Sequence, residues 1–347
     1  MSVIGTDGFD WADSATDLTT YGEWATASSI TVSSSVRVGT GKSIQFTNAN
    51  SVLRRVFPAN QSGKTLYAGV SYKRDSTLSG AVTTRVPFIS FYQTDNNESA
   101  PQIFVALNTS YKLEIVRGAT VLATGSTTIA LNTAYYIEVK CLVHNSAGSF
   151  EIKINGTSEV SITGTDTQEQ SDSNVLAIGL GYLSAYSPPG YFDDFYIDNS
   201  DGTLNNGYRG EQRMVMITPT SDSSVVFSRN TGASNYLAVD DSPGAPDEDT
   251  TYVFASTSGN KDEYGLSDLT GVSTARSIRL MTRAEKDDVN PKSFKAGIKS
   301  GATNQQVTHV LGVGYATYHD YFESSDGGTT QFNGTTVNSM LSTIEVV

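Results

Sequence analysis

The stretch GYFDDFYIDNSDG, residues 190–202, decides how this chain is read. It sets Asp193 and Asp194 inside an aromatic run of strand character and follows them with Asp198 and Asp201. Three readings compete: an acid pair that cuts glycosidic bonds, a cation-binding turn, and the polar edge of a sheet. Strand geometry tests the first. Side chains alternate between faces, so in a regular strand Asp193 and Asp194 point opposite ways, and Asp194 and Asp198 share a face about 13 Å apart at ~3.3 Å per residue. Glycosidase carboxylates stand ~5 Å apart in retaining enzymes and up to ~9.5 Å apart in inverting ones. Neither pair meets that geometry in a regular strand.

Outward from this stretch the chain alternates short apolar runs with turn residues. TLYAGVSYKR (65–74), VPFISFYQT (86–94), YYIEVKCLV (135–143), GSFEIKING (148–156) and NVLAIGLGY (174–182) each have strand length and are bounded by Gly, Asn, Ser or Thr. Asn155-Gly156 is the residue pair of a type I′ hairpin, whose two central positions need positive φ, and VRGATV (116–121) marks a second tight turn. No helical segments separate the runs, so parallel βαβ organisation is excluded and an antiparallel sandwich is expected. Helical spacing occurs once, at Val337, Met340, Leu341 and Ile344, where a single helical turn running into a last strand fits the pattern.

At 347 residues the chain exceeds common single-domain size. TLNNGYRGEQ (203–212) is polar and unpatterned, which predicts a sandwich over 1–204, a linker over 205–210 and a second, smaller β-sandwich over 211–347. The formal charge of −13 and the absence of a Lys/Arg cluster oppose binding to a phosphate backbone, so no nucleic-acid partner is expected. One cysteine, Cys141, rules out an intrachain disulfide and a cysteine-based zinc site and reads as a buried apolar thiol. The start has neither the basic nor the apolar region of a secretory signal, and no run is long enough to cross a bilayer; synthesis in the cytosol and no membrane insertion are expected.

In order, the runs from LNTAYYIEVKCLVHNSAGSFEIKING through SNVLAIGLGY to YFDDFYIDNSDG resemble the second half of a concanavalin A-like lectin/glucanase (laminin-G-like) jelly roll. The segments that follow, with NYLAVDDSPGAPDEDTTYVFASTSGNKDEYGLSDL, resemble a recurrent type of tailed-bacteriophage virion protein, whose members are mostly structural or minor tail proteins. That resemblance implies a virion location and a non-enzymatic structural role on tail or capsid, with other virion proteins as partners. Closed rings being usual for identical subunits, a homo-oligomer is expected. An adhesin binding host-surface glycan through the lectin-like domain is the alternative, and a polysaccharide depolymerase the third reading.

The acid-x-Asp-x-x-Glu strand of glucanases on this fold is missing, and no G-x-S-x-G elbow occurs, so no catalytic residue is assigned. His309 and His319, ten positions apart, are read as sharing one strand face far from each other. No cofactor is expected apart from a structural calcium, for which Asp198 and Asp201 of the acidic turn are the candidate ligands. Tyr182, Tyr186 and Tyr191 are the candidate ligand or interface residues, because loop-borne tyrosines beside prolines suit either a sugar ring or a protein contact.

Overall fold

Period-two runs broken by Gly and Asn turns fold into antiparallel strands throughout the chain. The computed structural model describes residues 1–34, 41–46, 50–75, 84–95, 101–181 and 190–347, so Tyr182 and Tyr186 lie outside the described residues. Two compact units form, Met1–Met214 and Val215–Val347.

The strands of the first unit are β1 (Val3–Asp7), β2 (Thr26–Ser28), β3 (Ile30–Ser33), β4 (Ser43–Phe46), β5 (Val52–Val56), β6 (Leu66–Arg74), β7 (Val86–Tyr92) and β8 (Pro101–Leu107). They continue with β9 (Lys112–Arg117), β10 (Thr120–Thr128), β11 (Ala134–Leu142), β12 (Gly148–Ile154), β13 (Thr157–Thr165), β14 (Ala177–Gly181) and β15 (Gly190–Asn199). One sheet runs β13-β12-β11-β6-β15-β4-β3 with β1 also on β15; the other runs β10-β9-β8-β7-β14-β5-β2. The result is an all-β sandwich of two antiparallel sheets. Alternate residues of each strand, such as Ala68, Val70 and Tyr72 on β6 and Ile137, Val139 and Cys141 on β11, are fully or almost fully buried. Phe46, Tyr72, Phe88 and Phe192 join the two sheets through ring pairs 4.6–5.1 Å apart. Such pairs add about 0.5–1.5 kcal/mol each beyond area burial. Cys141 is a buried free thiol, and its burial pushes its pKa far up.

The β12–β13 hairpin turns on Asn155 (φ 50°) and Gly156 (φ 78°), the two positive angles that its turn type demands. A short helix, α1 (Ala15–Thr20), has no apolar repeat to announce it. It begins where the Asp17 carboxylate turns back to accept from the Asp13 and Ser14 amides, at 2.8 and 2.7 Å.

Residues 205–214 do not behave as a linker. Arg209 Nε and Nη2 grip Asp198, the Gly210 amide donates to Glu138 and the Met214 amide to Asp194. These bonds strap the segment onto the first unit and move the boundary from the expected 204–211 region to 214/215.

The second unit contains β16 (Pro219–Ser224), β17 (Ser228–Arg229), β18 (Val253–Phe254), β19 (Lys261–Leu266), β20 (Ile278–Ala284), β21 (Ser293–Ser300), β22 (Thr303–Val310), β23 (Ala316–Phe322) and β24 (Leu341–Val346). A five-stranded sheet, β16-β19-β24-β21-β22, is joined by the two-stranded pairs β17-β18 and β20-β23. Its core is Ile298, Phe322, Phe332, Val337 and Met340, with Ile278 and Leu280 of β20 packed against it. The helical turn α2 (Gly334–Asn338) is capped by Asn333, whose side chain accepts from the Thr336 amide, and the chain passes from it into β24 as the spacing predicts.

One turn of this unit gives a pH prediction. The Asp326 carboxylate accepts from the Thr330 hydroxyl and from the Gly328 and Thr330 amides, and these bonds, the hydroxyl first, lower its pKa from 3.8 to about 2. A depressed carboxylate contributes stability that is complete above its unfolded value and is lost as pH falls through about 2. The side-chain carboxyl resonance of Asp326 should therefore titrate near pH 2 and move upward in Thr330→Val. A midpoint at the ordinary aspartate value in the wild-type chain would refute this.

Candidate functional site

On the outer face of the larger sheet, register brings four distant residues into one row. Thr31 of β3 lies opposite Gln45 of β4, Gln45 opposite Tyr191 of β15, and Tyr191 opposite Lys73 of β6. Directly opposed residues share a face, and adjacent strands stand about 4.8 Å apart, so the row spans roughly 14 Å. Its members are linked: Thr31 Oγ1 donates to Gln45 Oε1 at 2.9 Å, Gln45 Nε2 to the Tyr191 hydroxyl at 3.2 Å, and Lys73 Nζ lies 5.7 Å from the Tyr191 ring centre. Thr31 is exposed and the other three are half-buried. In the next row on the same face, Asp193 lies opposite Ser71, which lies opposite Tyr136. An aromatic ring flanked by an amide, a hydroxyl and an ammonium can stack on the C–H face of a sugar while bonding its hydroxyls. Of the three candidate tyrosines, Tyr191 is the one whose surroundings are described.

Farther along the same face a polar cluster lies beneath the 205–214 strap. Asp198 is completely buried and receives Arg209 Nε at 2.6 Å and Nη2 at 2.7 Å, a two-pronged ion pair. Glu138, also buried, accepts from the Tyr196 hydroxyl at 2.5 Å and from the Gly210 amide at 2.9 Å. Tyr208 packs edge-on against Tyr67, donates to Glu151 at 3.1 Å and carries Lys153 Nζ 3.9 Å from its ring centre. Burial first, and then the neighbouring carboxylates, raise the hydroxyls of Tyr196 and Tyr208 well above their ordinary value. Both hydroxyls donate, Tyr196 to Glu138 and Tyr208 to Glu151. The cluster holds the strap in place.

β15 is not the regular strand that the spacing argument assumed. Its register shifts between Asp193 and Tyr196, and Asp194 has φ 51°, which makes a β-bulge. The bulge turns Asp194 to the strap, where Oδ1 accepts from the Met214 amide at 2.7 Å while its carbonyl accepts from the Tyr136 hydroxyl. Asp194 is thus committed to the strap, and simple alternation does not describe this part of β15.

The acidic turn is likewise committed elsewhere. Asp198 faces Arg209, and Asp201 Oδ2 lies 2.5 Å from Lys64 Nζ. A carboxylate already neutralised by a cation of the chain is a poor calcium ligand, so these two residues do not fit the ion. Among the described residues no group of three or more His, Cys, Asp or Glu converges as metal ligands would. The two histidines also differ from the expectation. His309 lies on β22 and His319 on β23, and it is His309 that meets Asp320, at 2.9 Å, between the rings of Phe294 and Tyr318.

Gln45, Lys73 and Arg209 were not among the sequence candidates. Nothing local marks the first two, which gain meaning only from register; Arg209 stood in a segment read as a linker.

Comparisons with protein-family models and with curated protein sequences each find no match. Solved structures similar to the chain include an endo-β-1,4-glucuronan lyase from the fungus Trichoderma reesei, at 9% identity and TM-score 0.42, covering 52% of this chain and 92% of that one. An alginate lyase matches at 11% identity and TM-score 0.37, over 55% of this chain and 95% of that one. Domain 4 of an extracellular arabinanase from Geobacillus stearothermophilus, in complex with arabinotriose, matches at 14% identity and TM-score 0.32, over 49% and 74%. The comparison corrects the expectation of a non-enzymatic virion part. The structures named are glycan-active enzymes or a domain of one, so the tail and capsid roles are not carried forward and the expected lack of enzymatic activity is withdrawn.

Proposed function

We propose that this chain acts on carbohydrate and that its first unit docks a glycan along the row Thr31–Gln45–Tyr191–Lys73. The observation that carries the proposal is the row itself, a half-buried ring in line with a hydroxyl, an amide and an ammonium on the outer face of a lectin/glucanase-like sandwich. Its ~14 Å length, from the inter-strand spacing, suits two to three sugar units laid across the strands. Asp193 is a carboxylate one row away on the same face.

The test is a polysaccharide and oligosaccharide array with the full chain, followed by calorimetry on whatever binds and by assay of released product. Tyr191→Ala should weaken binding about tenfold or more, since truncating a central aromatic contact costs ~1.4 kcal/mol or above. Its melting temperature should stay close to that of the parent. Asp193→Asn should lower product release and leave binding in place. Absence of binding at high valency, or affinity untouched by Tyr191→Ala, would defeat the proposal.

A further inference from the structure

β22, TNQQVTHV over residues 303–310, is an edge strand of the five-stranded sheet, and nothing on it turns another strand away. Its residues pair with β21 in unbroken register and include no Lys, Arg, Asp, Glu or Pro, the residues that ordinarily blunt an edge. The other edges among the described residues are managed. β10 and β13 close on each other, Glu159 of β13 accepting from the Ser126 and Thr127 amides of β10. β16 opens with Pro219 and shifts register twice against β19, and β1 is wholly buried. β2 and β3 have three and four residues, and β17 and β18 two each. β20 carries Arg279 and Arg283, and β23 carries Asp320.

The Leu311 amide donates to the Lys292 carbonyl, one step beyond the opposed pair Ser293 and Val310. Bonded pairs alternate along an antiparallel ladder, so the odd positions of β22 bond to β21 and the even ones turn N–H and C=O outward. The Val310 carbonyl takes the Tyr318 hydroxyl at 3.0 Å; those of Asn304, Gln306 and Thr308, with their amides, meet no group among the described residues. The two long polar side chains fold back from the edge. Gln305 Nε2 donates to the Ser324 carbonyl at 2.8 Å. Gln306 reaches across Gly297, where a Cβ would come within 2.8 Å of its Cγ, and donates to Thr343 Oγ1 at 3.3 Å. Val307, next to them, is 38% exposed.

Two copies of a chain of net charge −13 repel each other unless they meet where the local charge is not negative. Behind β22, on the face that carries Gln306, stand Lys261, Lys295 and Lys299 against Glu263 and Glu345, so the acids there are fully matched. We propose that β22 pairs with β22 of a second copy, antiparallel about a two-fold axis beside Val307, so that two five-stranded sheets become one. In that register Gln306 of each copy faces Thr308 of the other, and each such pair exchanges both of its N–H···O bonds. Val307 then meets Val307 at the closer, unbonded kind of pair, which covers its exposed methyl groups. A two-fold axis needs one self-complementary patch, and an uncharged strand with both bonding groups free is such a patch.

Sedimentation of the full chain over a dilution series tests this. Monomer should give way to a two-chain species as concentration rises, and added salt should favour the dimer by screening the net charge. Thr308→Pro removes an outward N–H and spares the bonds to β21, since proline is tolerated where a strand's N–H faces solvent. It should weaken association about tenfold or more while dilute protein melts as the parent does. Val307→Lys, which sets like charges on the axis, should do the same. In hydrogen exchange the Gln306 and Thr308 amides should be protected in concentrated and unprotected in dilute protein, while the Val307 amide, bonded to β21, stays protected in both. A chain that remains monomeric, a species of three or more copies, or a dimer indifferent to both substitutions overturns the proposal. So does a chain that takes up a synthetic TNQQVTHV peptide without associating with itself, which would give the edge to a foreign strand.

Discussion

Arg209→Ala should destabilise the first unit by about 3–5 kcal/mol, the usual cost of removing one partner of a buried ion pair. Asp198 has no exposure, and Arg209 donates two charge-assisted hydrogen bonds to it. Without the guanidinium the carboxylate is left charged inside the protein or must take up a proton. The loss spreads, because the Arg209 amide donates to the Tyr196 hydroxyl and the next amide, of Gly210, donates to Glu138. Urea titration of the full chain should therefore show the transition of the first unit displaced while that of the second keeps its midpoint. Asp198→Asn should lose a similar amount. The double variant Arg209→Met/Asp198→Leu should regain much of it, since removing both charges removes the unpaired one. If Arg209→Ala stays within about 1 kcal/mol of the parent, the strap is held by something else.

The second large effect belongs to the other unit. Asp262 is fully buried on β19 without an ion-pair partner in the described network, and four donors surround its carboxylate. The Val226 and Phe227 amides reach Oδ1 at 2.6 and 2.8 Å; Asn235 Nδ2 and the Tyr264 hydroxyl reach Oδ2, both at 2.8 Å. Asp262→Ala leaves all four buried donors unmatched, and at ~1–3 kcal/mol for each that finds no water the unit should lose at least about 3–5 kcal/mol. Asp262→Asn is less severe but turns an NH2 toward groups that also donate. Hydrogen exchange supplies the decisive readout: the Val226 and Phe227 amides should lose protection ahead of the β21–β24 pairing. Unchanged protection of these two amides would sink the idea. Burial and the adjacent carboxylate also hold the Tyr264 hydroxyl far above its ordinary pKa, so its titration should drop toward normal in the alanine variant.

How much of this was written in the sequence depended on how local the cause was. Asn155-Gly156 specifies its hairpin within two residues, and the apolar spacing of Val337 and Met340 specifies the last helical turn, so both were legible. The bulge at Asp194 was not, because a single residue in the left-handed region reverses the alternation without changing composition. Residues 205–214 looked like a linker for a related reason. They carry no periodicity; Tyr208 and Arg209 are fixed instead by carboxylates that only the folded sheet places beneath them. Tyr191 stood out as an aromatic, but its partner Gln45 is 146 positions away and Lys73 sits on a third strand. The acid-rich segments show the same dependence on the folded sheet. In KDEY (261–264) Asp262 anchors a loop, Glu263 binds Lys299 at 2.7 Å, and Glu248 of the DEDT segment holds Arg283, so these charges are parts of the scaffold.

The strap also settles where the first unit can be cut. Val3 pairs with Asp198, the Asn199 amide donates to the Ser2 carbonyl, and the Ser2 hydroxyl bonds the carbonyls of Asp201 and Leu204, so Ser2 and Val3 are tied beside the start of the strap, while its last residue, Met214, bonds Asp194 farther along β15. An excised first unit must run to Met214: one ended at residue 204 would lack Arg209, its Asp198 carboxylate open to water and its sheet bare where Tyr208 had lain.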